Sequence, residues 1–181
     1  MDKSTESSYI VLMPGTSLDV ANEFIRLAKE SGRELTQMQL QKLVYIAHGW
    51  RLALMDQGLT IDKPQAWDFG PVYPELYEQL KRYGRGPVTA YVRRLEESIS
   101  YWFSGKKDNL PVSSLNDEDR QLIATVFEIY GSYPAYQLSA LTHEDDTPWS
   151  QVYERNRNRH IPDDIIEAHF KKLAKDRSEH Q

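Results

Sequence analysis

The stretch Thr36-Gln37-Met38-Gln39, followed by apolar residues at helical spacing, constrains the fold of this chain most strongly. A Thr and a Gln three residues apart can satisfy the free N–H groups of a helix start reciprocally, an arrangement known as a capping box. The pattern predicts a helix that begins after Thr36 and ends at Gly58. Its broad apolar face consists of Leu40, Leu43, Val44, Ala47, Trp50 and Leu54.

Similar signals predict several more helices along the chain. An apolar stripe from Val20 to Ala28 indicates a helix capped by Ser17 and closed by Gly32. Further helix starts are predicted at Pro74, Asn116, Pro134, Thr147-Pro148 and Pro162. Since no strong alternating runs occur, we predict a mainly α, compact single-domain bundle of six or seven helices. Short extended or β pieces are expected only near 59–69 and 91–114, and residues 85–115 leave helix and strand undecided.

The length of 181 residues suits one domain. We expect a flexible, serine-rich N-terminal tail over residues 1–16, in which the apolar run 10–13 is the candidate for a part held against the body. The domain itself is expected over 17–174. A polar, frayed C-terminal tail is expected over 175–181.

Composition excludes several classes of function. The chain contains no cysteine, which rules out disulfides, thiolate catalysis, Cys-based zinc sites and iron–sulfur ligation. A formal net charge of −5 argues against coating of nucleic acid or of an anionic membrane. Neither a secretory signal nor an apolar stretch of about 18 residues is evident. We therefore expect a cytoplasmic protein without membrane contact.

Enzyme motifs are lacking as well. The sequence has no G-x-G-x-x-G, P-loop or G-x-S-x-G motif. His143 stands beside Glu144 and Asp145, but no second His follows at metal-binding spacing, and His48 has no nucleophile and base near it in sequence. We expect no catalytic residue, metal or cofactor. An enzyme centred on His143 with Asp145 or Glu144 is kept as a rival hypothesis.

The sharpest basic run is Arg155, Arg157 and Arg159, which alternate with asparagines. Such a run can contact phosphates, can bind an acidic protein partner, or can be a solvated loop before the last helix. The solvated loop is favoured, because no aromatic-interleaved RNA motif accompanies the arginines. A nucleic-acid-binding transcriptional regulator that uses Arg155 to Arg159 remains the alternative function.

The stretch AWDFGPVYPELYEQLKRYG from Ala66 to Gly84 crowds aromatics and prolines ahead of a helix. Asp68 to Pro71 is typical of a turn. The aromatic residues Trp67, Phe69 and Tyr73 either wedge between helices or form an exposed groove for a partner. Rigid aromatic anchors make good binding hot spots, but the residues alone favour the packing role.

Five stretches together resemble a known family. They are Leu40 to Trp50 (LQKLVYIAHGW), Ala66 to Tyr77 (AWDFGPVYPELY), Tyr83-Gly84, Leu138 to His143 (LSALTH) and Thr147 to Trp149 (TPW). Their order resembles the Panacea domain, a family that includes SocA-like antitoxins and phage-associated GepA-type proteins. The resemblance runs from about residue 17 to residue 173.

The resemblance implies an antitoxin of a bacterial, prophage or phage toxin–antitoxin system that neutralises a cognate toxin protein by direct binding. The SocA branch is thought to act as an adaptor that delivers its toxin to the ClpXP protease. Neither role needs a catalytic centre, and nucleic acid is not the expected partner but stays open as one. The stretch 91–115 lies outside the strong motifs and is our candidate for reading a specific toxin. The residues expected to bind the partner or to hold the motif scaffold are Tyr45, His48, Trp50, Trp67, Phe69, Gly70, Pro71, Tyr73, Pro74, Tyr77, Thr142, His143, Pro148 and Trp149.

Overall fold

A computed structural model describes residues 14–94, 110–111 and 113–179. Within these ranges the protein is mainly α-helical, as predicted, with one small β-hairpin. The elements in chain order are α1 (Ser17–Glu30), α2 (Gln37–Met55), β1 (Gln65–Trp67), β2 (Gly70–Val72), α3 (Pro74–Leu80) with a 3-10 turn (Lys81–Tyr83), α4 (Asp117–Tyr130), α5 (Ala135–His143), α6 (Pro148–Val152) and α7 (Asp163–Glu179).

Helix α2 is the centre of the fold. Its predicted capping box is confirmed, because the backbone N–H of Gln39 donates to the Thr36 hydroxyl and the backbone N–H of Thr36 donates to the Gln39 side-chain oxygen. Every residue from Leu40 to Leu52 is buried, since other helices pack around all sides of α2. Two predictions are wrong at its end. Leu54 is 58% exposed, and the helix stops at Met55 because Asp56 adopts a left-handed conformation, with φ 54°.

Helix α7 packs closely against α2 through the ring of Phe170. This ring contacts Tyr45 and Trp50 edge to face, with centroids 6.1 and 5.3 Å apart. The approach depends on Gly49, where an added Cβ would lie 2.2 Å from the Phe170 ring. Gly49 therefore sets the distance between the two helices.

Helices α1 and α4 cover another side of α2. Thr16, rather than the predicted Ser17, caps α1, because Asp19 completes a capping box with Thr16. Gly32 follows the helix end with φ +66°, as predicted. Asn116 caps α4 as expected.

The expected tail boundaries are shifted. Gly15 accepts a backbone hydrogen bond from Ile61, and Thr16 is buried, so these residues belong to the folded body; residues 1–13, including 10–13, lie outside the described ranges. At the other end, α7 continues past residue 175 to Glu179. Arg177 holds this last turn, because its guanidinium donates to the Tyr130 hydroxyl at 2.6 Å and lies over the Trp50 ring.

The two regions expected to be extended differ in outcome. The prediction for 59–69 is confirmed by β1, which pairs antiparallel with β2 just beyond that range, with Gln65 opposite Val72 and Trp67 opposite Gly70. Most of 91–114 lies outside the described residues, which omit 95–109 and 112. The described start of that stretch has no regular structure and is held by Asn22, whose side chain hydrogen-bonds both backbone groups of Val92.

Candidate functional site

The β-hairpin begins the site, because its two-residue turn projects from the body. Asp68 and Phe69 form the turn, and Gly70 follows with φ +97°, a conformation that favours glycine. A Cβ on Gly70 would also lie 2.8 Å from the Lys42 amine, so a larger residue there would displace that amine. The phenyl ring of Phe69 is 68% exposed at the tip.

Three side chains fix the hairpin backbone and turn. The Ser139 hydroxyl of α5 donates to the Phe69 carbonyl at 2.9 Å. The Trp149 indole of α6 donates to the Trp67 carbonyl at 2.8 Å, and the Tyr153 hydroxyl donates to Asp68 at 2.9 Å. The tip is therefore an exposed aromatic group on a rigid support.

An aromatic cluster backs this support. Trp149 stacks on Tyr153 with ring centroids 4.3 Å apart and meets His143 edge to face at 4.9 Å. The Nδ1 atom of His143 lies 2.7 Å from the Ser139 carbonyl, which can only accept, so Nδ1 carries the proton. His143 thus holds the corner between α5 and α6 in this arrangement.

A second exposed aromatic residue stands on the helix that holds the tip. Tyr136 is 76% exposed and stands on α5 one helical turn before Ser139, the residue that contacts Phe69. The start of α5 is itself held to α2, because the Gln39 side chain donates to the Tyr133 carbonyl at 2.9 Å. We call Met38, Trp67, Phe69, Tyr77 and Tyr136 the hairpin face.

A cavity of about 500 Å³ opens beside the hairpin face. Its apolar walls include Trp67 and Tyr77, whose rings meet edge to face at 5.0 Å. Its remaining lining residues are Gln37, Met38, Gln41, Lys42, Asp68, Phe69, Val72, Asn156 and Asn158. Aromatic walls with a few polar groups are typical of binding sites.

Lys42 is the unusual residue of this cavity, because its side chain is buried. Its amine donates to the Pro71 carbonyl at 2.9 Å, and it makes no second hydrogen bond among the described residues. Burial disfavours the charged amine and lowers the pKa of Lys42 to about 7. Gln41 is satisfied differently, by a pair of hydrogen bonds with the backbone of Tyr73.

Several of the predicted site residues lie in the core, away from the cavity. Tyr45 and Trp50 pack on Phe170, as described above, and Tyr73 is fully buried. Pro74 takes the first position of α3. Thr142 and Pro148 are buried in and after α5, where the Thr142 hydroxyl donates to backbone carbonyls of its own helix.

His48 is also a core residue. Its Nδ1 atom accepts from the backbone N–H groups of Leu59 and Thr60, so its Nε2 atom carries the proton that it shares with Asp163 at 3.2 Å. This hydrogen bond from His48, together with the ion pair to Lys63, holds the pKa of Asp163 at about 2. His48 thus links α2 to the start of α7.

The arginine run forms a loop against the outer edge of the hairpin. The Arg159 carbonyl in this loop accepts a hydrogen bond from the backbone N–H of Ala66 at 2.8 Å. Arg157 and Arg159 both form ion pairs with Glu154, at 3.1 and 2.5 Å, and Arg155 is exposed on the same loop. The intervening Asn156 and Asn158 have positive φ and line the cavity.

Two absences hold for the described ranges. No group of three or more His, Asp or Glu side chains there could hold a metal ion. None of the helices described is long and apolar enough to cross a membrane.

Comparisons with known proteins give the family of the chain that carries this site. A family model described as "Antitoxin SocA-like, Panacea domain" matches residues 40–150. The antitoxin SocA of Caulobacter vibrioides is 31% identical over 134 residues, which cover 74% of this chain and 68% of the relative. The chain belongs to the SocA-like antitoxin family with a Panacea domain. No solved structure matches the chain significantly.

The matched segment of this SocA-like protein begins in α2 and ends in α6, so it contains Lys42, the hairpin and Trp149. Asn156 and Asn158 lie beyond it. Membership supports an antitoxin role in general, with a toxin as partner in general, and suggests a regulatory protein rather than an enzyme.

Sequence reasoning missed several contributors to the site, namely Met38, Lys42, Tyr136, Ser139, Tyr153, Asn156 and Asn158. Lys42 could have been noticed, because it is a lysine inside the apolar segment Leu40 to Ala47 of a well-predicted helix. The others are recognisable only once the hairpin, α5, α6 and the arginine loop are brought together.

Proposed function

We propose that this protein is a cytoplasmic antitoxin that neutralises a cognate toxin by direct protein–protein binding, with the hairpin face as the contact surface. The observation that carries the proposal is the pair of exposed aromatic side chains, Phe69 and Tyr136, on a support fixed by hydrogen bonds. Family membership supplies the antitoxin role in general.

The physical case is that large aromatic groups held on rigid backbone lose little conformational entropy when a partner covers them. The carbonyls of Phe69 and Trp67 are both fixed by side chains from helices, so the turn does not have to be ordered on binding. When a partner buries an exposed phenyl ring, apolar surface is removed from water, and this stabilises the complex.

The nucleic-acid alternative finds less support. Two of its three arginines are already paired with Glu154, which offsets charge that would attract phosphates. Binding to the protein's own promoter, with affinity that falls steeply as salt rises, would favour that alternative instead.

The test is co-expression with the product of the adjacent gene, scored for growth and for co-purification. We expect rescue of growth with a stable complex. Phe69→Ser should weaken the complex at least about 30-fold, as loss of an aromatic hot spot does. Leu54→Ser is the matched control, because Leu54 is also exposed but lies about 18 Å along α2 from Lys42.

Two outcomes would count against the proposal. Rescue without a complex would favour degradation or repression, and repeating the assay in cells that lack ClpXP would separate a protease-adaptor role from direct occlusion. Equal loss of binding in Phe69→Ser and Leu54→Ser would remove the hairpin face as the contact surface.

A further inference from the structure

The cavity beside the hairpin face combines two features. Its walls are largely aromatic and apolar, and a buried lysine amine lies at its inner end. The amine has three N–H groups, of which the Pro71 carbonyl accepts one. The remaining donors are left without an acceptor among the described residues.

We propose that this cavity binds an Asp or Glu side chain of the partner protein, with the carboxylate on Lys42 and the neighbouring apolar part of the partner against Trp67 and Tyr77. The inference rests on the proposed function and names the chemistry of its main anchor.

Charge and size favour a carboxylate over other anions. A single amine supplies one positive charge and two spare donors, which match one carboxylate, whereas phosphate sites gather several basic groups or backbone N–H groups. The Lys42 side chain is buried, so an ion pair formed at its amine would be stronger than one at an open surface.

The cavity also holds an acceptor that needs a donor. The Gln37 side-chain oxygen is buried without a hydrogen-bond partner among the described residues, while its amide nitrogen donates to the Gly84 carbonyl at 3.0 Å. Gln37 and Gln41 lie one turn apart on α2, and both line the cavity. A backbone N–H beside the bound carboxylate would satisfy this oxygen.

The proposal implies uptake of a proton on binding. Because burial keeps part of the Lys42 population neutral near pH 7, a carboxylate that binds the charged amine draws a proton onto it. The other titratable residues among those lining the cavity are Asp68, on the hairpin, and Tyr77, on α3. The titratable His143 comes from α5, which packs on the hairpin, and the exposed Arg155 lies on the loop that supplies Asn156 and Asn158. Asp68 opposes an incoming carboxylate, although it accepts a hydrogen bond from Tyr153.

The first experiment uses two blocked dipeptides as probes, acetyl-Phe-Glu-amide and acetyl-Phe-Gln-amide, titrated into the full chain and followed by NMR. We expect the Glu peptide to bind about tenfold more tightly than the Gln peptide at pH 7. Its affinity should fall by roughly tenfold per pH unit above pH 7, as the amine loses its proton. Asp68→Asn should tighten binding.

Variants separate this site from a general effect of charge. Lys42→Met should abolish the preference for the Glu peptide, whereas Lys175→Met, which removes an exposed lysine on α7, should keep it. Equal binding of the two peptides to the wild-type protein would overturn the proposal. So would binding of the free acid 3-phenylpropionate without binding of the Glu peptide, because the site would then serve a small molecule.

The co-expression assay distinguishes failure of this inference from failure of the proposed function. If Lys42→Met neutralises the toxin as well as the wild type while Phe69→Ser does not, the hairpin face stands and the carboxylate anchor is wrong. Loss of neutralisation in Lys42→Met, with the folded structure retained, is the expected result.

Discussion

Replacing Lys42 by Met should stabilise the protein at neutral pH. The lysine amine is fully buried, and its pKa falls from 10.5 to about 7 through loss of solvation. That shift corresponds to roughly 5 kcal/mol of unfavourable free energy for the charged amine. Methionine has a similar length and no charge to desolvate.

The substitution also removes the hydrogen bond to the Pro71 carbonyl. Losing that bond and leaving the carbonyl without its donor should destabilise by about 1–3 kcal/mol. The balance is therefore a net gain of about 2–4 kcal/mol at pH 7, which in a chain of this size raises Tm by about 4–16 °C.

The way in which this difference in stability changes with pH shows whether the buried lysine amine is its cause. Between pH 7 and 10.5 the unfolded chain binds more protons at this lysine than the folded chain does, so wild-type stability gains up to about 1.4 kcal/mol per pH unit from this group. The Met variant lacks this gain. Its advantage should thus be largest at pH 7 and below, and near pH 10.5 it should be the less stable protein.

Urea unfolding of the two proteins from pH 6 to pH 10 measures this difference. A Met variant that is less stable than the wild type by the same amount at every pH would refute the reasoning. The amine would then act only as a structural hydrogen-bond donor to the hairpin.

Three further changes test the framework. Gly49→Ala should destabilise by about 2 kcal/mol in thermal denaturation, because overlap with the Phe170 ring outweighs a helix-propensity gain of about 1 kcal/mol; a stabilised variant would contradict the close packing. Arg51→Met should cost about 3 kcal/mol in urea unfolding, since it leaves the buried Asp119 carboxylate without its ion-pair partner at 2.8 Å; a change below about 0.5 kcal/mol would contradict it. Asp163→Asn should destabilise the protein by about 1 kcal/mol at pH 7, after allowance for solvent screening, and by nothing at pH 2. The lowered pKa of Asp163 contributes stability above pH 4, and this stability is lost as the pH falls to 2. A difference between variant and wild type that persists at pH 2 would exclude this origin.

Local signals in the sequence were sufficient for much of the helical framework. The Thr36 and Asn116 caps and the Pro74 and Pro148 starts were predictable because each depends on residues within one helical turn. Leu54 was misjudged because its exposure depends on which helices reach the last turn of α2, and periodicity carries no such information.

The site was less predictable, because its parts are distant in sequence. Phe69 and Trp67 were identified as candidates, but whether they pack or project depends on Ser139 and Trp149, about 70 and 80 residues away. The buried state of Lys42 depends on the hairpin that covers it.

The most direct test of the account is hydrogen exchange of the protein alone and in complex with the product of the adjacent gene. We expect the strongest new protection in residues 67–69 and at the start of α5 around Tyr136, with α2 near Leu54 unchanged. Protection confined to other surfaces, with the hairpin turn exchanging at the same rate in both states, would contradict binding through the hairpin face.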